Sequence, residues 1–171
     1  MPIILEVRGK KPVFGNNVFI APNATVIGDV VCGDDCSFWF NAVIRGDVNY
    51  IKIGNQVNVQ DNATLHGTFE KSPTVIGDFV SIGHNAIVHG CTLGNHVLVG
   101  MGAIVMDNAI VHDNVLIAAG SVILENSVLE SGYIYAGVPA KKIKALDENH
   151  MNGLMKRISE NYKLYASWFK I

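Results

Sequence analysis

Charge is scarce in this sequence. Asp, Glu, Lys and Arg make up 16% of its 171 residues, against about 25% in an ordinary soluble domain. That leaves little charge to cover a free surface and predicts that part of the surface is buried against other subunits. The formal net charge is −2, so no basic footprint for nucleic acid is present. No apolar run reaches the roughly 18 residues that a membrane-spanning helix needs, so no membrane partner is expected. The first residues, "MPIILEVRGKK", lack the basic-then-apolar order of a signal peptide. Cysteine is rare as well. Three residues, an odd number, exclude a complete disulfide framework and fit a reduced, cytoplasmic protein.

A period of six residues is what the sequence has in abundance. An aliphatic residue at position 1 and a small one at position 5 recur in "IAPNAT" from Ile20, "VIGDVV" from Val26, "CGDDCS" from Cys32, "FWFNAV" from Phe38 and "IRGDVN" from Ile44. The frame slips at "NYI" and resumes with "IGNQVN", "VQDNAT" and "LHG". After a loop it runs from "IGDFVS" at Ile76 through "ILENSV" at Ile123, with "VHGCT" one residue short. Such a repeat predicts a solenoid. Each unit is a short strand and a corner, positions 1 and 5 point inward, and Gly, Asn and Asp turn the corners. Three units make one triangular coil, and successive coils stack at about 4.8 Å, the ordinary strand spacing. Beyond "GYIYAGVPAKKIKAL" the period changes. Met151, Leu154, Met155, Ile158, Tyr162, Tyr165 and Phe169 recur at three- and four-residue steps after a potential N-cap, Asp147. One domain is therefore expected: an all-β solenoid over residues 1–146 and a C-terminal α-helix, 147–171, packed on its flank.

The repeat serves as a ruler for the histidines. Leu65 and Val88 each open a unit, so His66 and His89 are both second residues. The 23 residues between them equal one coil plus the insertion supplied by "GTFEKSPTV". Both should point outward from one face on adjacent coils, close enough to converge on one ion. Arg45 falls on the same face one coil below. His84, third residue of its unit, lies one face earlier, together with Gln60 and Asp61. It reaches the other two histidines only if a second subunit supplies it. In a threefold assembly the His66–His89 face of each subunit meets the Gln60–Asp61–His84 face of the next, giving three sites, each with two histidines from one chain and one from its neighbour.

The motifs "VIRGD" (43–47), "NVQDNATLH" (58–66), "IGHNAIVHGC" (82–91) and "YAGVPAK" (135–141), taken together, resemble the γ-class carbonic anhydrases among the hexapeptide-repeat proteins. The resemblance implies a left-handed parallel β-helix and a homotrimer with three intersubunit metal sites. It implies that His66, His84 and His89 hold the metal. It also implies that Arg45 and Asp47 pair near the interface, that Gln60 contacts the metal-bound solvent, and that Asp61 joins an intersubunit polar network. The implied activity is that of a lyase, the reversible hydration of carbon dioxide. Three neutral imidazoles with an open fourth position suit catalytic Zn2+, and would also accept Fe2+ or Co2+. The glutamates that shuttle protons in this family have no match: Val48 follows Asp47, and the short insertion carries only Glu70.

Other readings remain open on these residues. The same metal site suits an acyl-CoA thioesterase. The repeat alone suits a hexapeptide acyltransferase with a histidine base, and a metal-binding trimer without catalysis is a fourth reading. His96, His112 and His150 are expected to be ordinary surface residues, and Cys32 and Cys36, at positions 1 and 5 of one unit, small core residues.

Overall fold

The computed structural model describes residues 1–169. Within the helix, the side chains of Glu148, His150 and Asn152 are not described. The expectation for His150, and the end of the helix at residues 170–171, lie outside the described residues.

The predicted solenoid is present, a parallel β-helix in which most strands are two or three residues long. On its first face the inward residues Ile44, Leu65, Val88, Val105 and Ile123 lie in register, one per coil. The second face stacks Cys32, Ile53, Ile76, Leu93, Val111 and Leu129 in the same way. The third stacks Ile20, Phe38, Val59, Ile82, Val99, Ile117 and Tyr135. Position 5 is filled by buried small residues, alanine at Ala24, Ala42, Ala63, Ala86 and Ala103 and valine or cysteine at others such as Val57, Val97 and Cys36, because three side chains must share the narrow axis of the triangle. The stack is held by burial of these apolar columns, worth about 25 cal/mol per Å2 removed from water. Cys32, Cys36 and Cys91 are free and buried in this core. Burial pushes the Cys91 thiol up to about 12, and the nearby Asp107 charge adds to the shift.

Corner chemistry explains the polar part of the repeat. Position 4 is left-handed, with φ near +60° at Asn41, Asn62, Asn85, Asn108 and Asn126, a conformation that asparagine tolerates better than most residues. At the end of the second face the sequence repeats Gly-Asn or Gly-Asp. There the backbone N–H of Asn16, Asp34, Asn55, Asp78 and Asn95 each donates to the side-chain oxygen of the Asx one coil on, at 2.6–2.9 Å. The preceding glycines leave room for those side chains. A Cβ on Gly54 would lie 2.3 Å from Asp78 Oδ1 and 2.7 Å from the Gly77 carbonyl carbon. Gly54→Ala is therefore expected to cost about 1–3 kcal/mol by overpacking, measured as a lowered midpoint of urea denaturation. An unchanged midpoint would show that the corner can relax.

Both ends lie outside the six-residue repeat. The repeat was readable from Ile20, yet Ile3–Leu5 and Val13–Phe14 already pair in parallel with Thr25–Cys32. A hairpin turn at Val7–Lys10 takes the place of the usual corner there, so no six-residue frame exists to be read. At the other end Tyr133–Gly137 pairs in parallel with Leu116–Ile117 and antiparallel with Ala140–Ala145. The hairpin thus ends the parallel stack and occupies its open edge.

Helix α1, Glu148–Ser167, lies along the third face. Met151 and Met155 are buried, and Phe169 meets the rings of Phe19, Trp39 and Phe40. Lys163 pairs with Asp35 at 3.0 Å and Ser159 Oγ donates to Gln56 at 3.1 Å. At this corner position 4 carries Asp35, Gln56, Phe79 and His96 in place of asparagine, and Phe79 stacks flat on His96 at 4.8 Å. The column faces the helix, which gives His96 a packing role. His112 is exposed. Among the described residues no helix is long and apolar enough to cross a membrane.

Candidate metal centre

Strands Thr64–His66 and Ile87–His89 pair in parallel with His66 opposite His89. Leu65 and Val88 point into the core, so side-chain alternation sends both imidazoles outward. The rings meet tilted at 59°, with His66 Nδ1 3.1 Å from His89 Nε2. Each opposite ring nitrogen is engaged by a carboxylate. His66 Nε2 donates to Asp47 Oδ1 at 3.1 Å and His89 Nδ1 to Asp107 Oδ2 at 2.8 Å. With an N–H committed to each aspartate, the two nitrogens that face each other both present lone pairs. Such an arrangement calls for an electrophile between them. Their separation is close to the roughly 3.3 Å edge of a tetrahedron built on Zn–N bonds of 2.0–2.1 Å. The donor set and its spacing therefore fit a divalent ion, and the carboxylate behind each histidine is the usual support of an imidazole ligand.

The electrostatics agree with that fit. Burial, first of all, lowers the His66 pKa, and together with the positive charge of Arg45 it prevails over the opposing pull of Asp47. The ring is held in the neutral form that a metal requires. Burial would raise Asp47, but hydrogen bonds from Arg45 and His66 prevail and its carboxyl is held low. Arg45 donates to Asp47 Oδ2 at 2.6 Å. Asp107 is likewise held low, hydrogen bonds from Thr68 and His89 overcoming the cost of burial.

The other expected site residues lie on the third face. Pairing of Ile82 with Val59 brings His84 beside Asp61, with His84 Nδ1 2.9 Å from Asp61 Oδ2. His84 does not join the histidine pair of its own chain: among the described residues no three His, Cys, Asp or Glu side chains converge on one point. Gln60 is buried, and its Nε2 donates to Asn58 Oδ1 at 2.9 Å and Ser81 Oγ at 3.1 Å, leaving Oε1 as the free end of the amide. Gln60 and His84 open onto a cavity of about 370 Å3 whose walls include Met101, Ile117, Ile158 and Tyr162. Burial pushes the Tyr162 hydroxyl up to about 12, with the Asp61 charge adding to it. Glu70 is exposed in the 67–73 loop. Tyr135 is a core residue whose hydroxyl accepts the Glu130 N–H at 2.8 Å.

Asp107, Thr68 and Tyr162 were not singled out from the sequence. Asp107-Asn108 has the same form as Asp61-Asn62 and Asp113-Asn114, so it reads as corner chemistry. Tyr162 reads as one more apolar position of the helix.

Comparison with known proteins places this geometry. The bacterial transferase hexapeptide family model (six repeats) matches residues 11–46 and 90–125. Protein YrdA of Escherichia coli is 47% identical over 97% of this chain and 91% of its own length. A carbonic anhydrase of Geobacillus kaustophilus is 38% identical over 98% of this chain and 91% of its own. The chain belongs to the γ-carbonic anhydrase-like family of hexapeptide-repeat proteins. Within this γ-carbonic anhydrase-like family some relatives are longer. The mitochondrial gamma carbonic anhydrase 2 of Arabidopsis thaliana is 38% identical over 95% of this chain, which spans 64% of that protein, as it does of an uncharacterised Dictyostelium discoideum relative. The crystal structure of a Bacillus cereus protein described as a putative acetyltransferase superposes with a TM-score of 0.94 at 37% identity, covering 99% of this chain and 97% of that one. A hexapeptide transferase family protein of Anaplasma phagocytophilum gives 0.91 at 40% identity, covering 98% of each.

Proposed function

We propose that this protein is a metal-dependent carbonic anhydrase that interconverts carbon dioxide and bicarbonate at the interfaces of a homotrimer. The observation that carries the reading is the approach of His66 Nδ1 and His89 Nε2 to 3.1 Å, each ring backed by an aspartate at its other nitrogen. His84, backed by Asp61 on another face, is the third donor, given by the neighbouring subunit. The outward residues beside the pair support a covered interface: Ile87 and Leu124 are apolar and 39% and 48% exposed, on a chain short of charge.

His66, His89 and a third imidazole, His84, would hold a divalent ion, which would supply Lewis acidity and lower the pKa of water to about 7. The chain's own groups complete the site. Gln60, its Nε2 pinned by Asn58 and Ser81, offers Oε1 to accept an O–H and so orients the attacking oxygen. Asp47, held ionised by Arg45, fixes the ring of His66. The aliphatic wall beside Gln60 and His84 suits an apolar substrate.

Metal content per subunit and carbon dioxide hydration test the reading, and mixing two inactive variants tests the shared site. Homotrimers of His66→Ala and of His84→Ala should both be inactive. After subunit exchange about one quarter of the interfaces hold all three ligands, by the statistics of a threefold ring, and activity should return to about that level. No recovery despite demonstrated exchange would rule out donation across the interface. A second reading, acyl transfer, is favoured by the likeness to proteins described as transferases. It predicts tight coenzyme A binding that survives removal of the metal.

A further inference from the structure

The loop over residues 67–73 crosses to the next coil at the back of His89. Thr68 Oγ1 donates to Asp107 Oδ1 at 2.6 Å, and Asp107 Oδ2 takes the Nδ1–H of His89 at 2.8 Å. The carboxylate is thus divided, one oxygen to the loop and one to the ring. Two further bonds hold the loop in place. Ser72 Oγ bonds Asn108 Oδ1 at 2.9 Å, and Asn49 Nδ2 donates to the Thr68 carbonyl at 3.0 Å. The space between loop and coil is closed. Gly90 has φ +56°, and a Cβ there would meet Asp107 Oδ1 at 2.4 Å and Ser72 Cβ at 2.8 Å. Asp107 is one-fifth exposed, and it has two rotatable bonds with which to swing between acceptors. Thr68 removes that freedom.

We infer that Thr68 and Asp107 form a two-step relay by which the insertion loop positions His89, holding its Nδ1–H tautomer and aiming Nε2 at His66. Both are positioning residues for the proposed metal site, and the inference rests on that reading. The loop contributes to the site through its hydroxyl and needs no acid of its own to do so.

The test compares four variants of the full-length protein by competition between protein and a chelator for Zn2+. Asp107→Ala should weaken zinc binding about 10–100-fold, the usual effect of losing an outer partner of a histidine ligand. Thr68→Val should weaken it about tenfold, at the low end of that range, and Thr68→Ser should restore wild-type affinity. Ser72→Ala also releases a loop tether but leaves Asp107 untouched, so it should bind zinc as the wild type does. Equal losses in Thr68→Val and Ser72→Ala would reduce the effect to loop anchoring and overturn the relay. So would wild-type affinity in Asp107→Ala. A wild type that binds no zinc would overturn the metal site instead. In that case 15N NMR of the imidazoles in the metal-free protein, above the histidine titration range, still decides the relay. His89 should carry its proton on Nδ1 in the wild type and in Thr68→Ser, and on Nε2 in Asp107→Ala. Identical spectra for wild type and Asp107→Ala would rule the relay out.

Discussion

His89→Ala should abolish stoichiometric zinc binding and lower carbon dioxide hydration by roughly 10³-fold or more, since loss of the ion returns the attacking water toward its bulk pKa. Geometry makes the effect large. One chain brings two ring nitrogens to 3.1 Å of each other, and removing either leaves a single imidazole of the pair. The fold should survive. The His89 side chain lies on the outer surface and is 31% exposed, and surface changes away from special features stay within about 0.5 kcal/mol. Loss of the bond to Asp107 adds a modest cost. His112→Ala, on an exposed position of the second face, is the control and should change neither metal content nor rate. Full zinc occupancy and an undiminished rate in His89→Ala would remove the basis of the proposed function.

The other large effect concerns the core behind the site. Leu65→Ala should destabilise the protein by about 2–5 kcal/mol, the range for truncating a buried leucine, read as a fall in the urea midpoint with the slope unchanged. Leu65 has no exposed surface. It stacks between Ile44 and Val88, one coil on either side, so the cavity opens in a column that neighbouring coils share. In a solenoid each coil is stabilised by its neighbours, and loss at one coil weakens the register of the next. The residue following Leu65 is His66, so zinc affinity should fall with stability. Thr64→Ala, outward on the same strand, should change stability little. A loss below about 1 kcal/mol for Leu65→Ala would mean that position 1 does not carry the core.

Much of this was readable in the order of residues because a solenoid makes distance in sequence nearly equivalent to position in space. Counting from Leu65 to Val88 was enough to put His66 beside His89, and the strands pair in that register. The same count placed His84 with Asp61 and apart from the pair. Where the count failed, the six-residue frame was missing. The hairpin turn at Val7–Lys10 hid the first strands, and the antiparallel hairpin at Tyr133–Ala145 obeys no repeat. Asp107 escaped notice for a different reason. Its neighbours in sequence show a corner aspartate, and only the stacking of coils brings its carboxylate to His89.

The repeating pattern of aliphatic, small and corner residues was sufficient to dictate the coil, its inward columns and the common face of two histidines, because each of these depends on backbone period alone. Which oxygen meets which ring nitrogen was decided only when the chain folded. His89 and Asp107 lie 18 positions apart, one coil, but the atoms that meet are set by rotamers, and Thr68, 39 positions from Asp107, reaches it through loop closure that no period encodes.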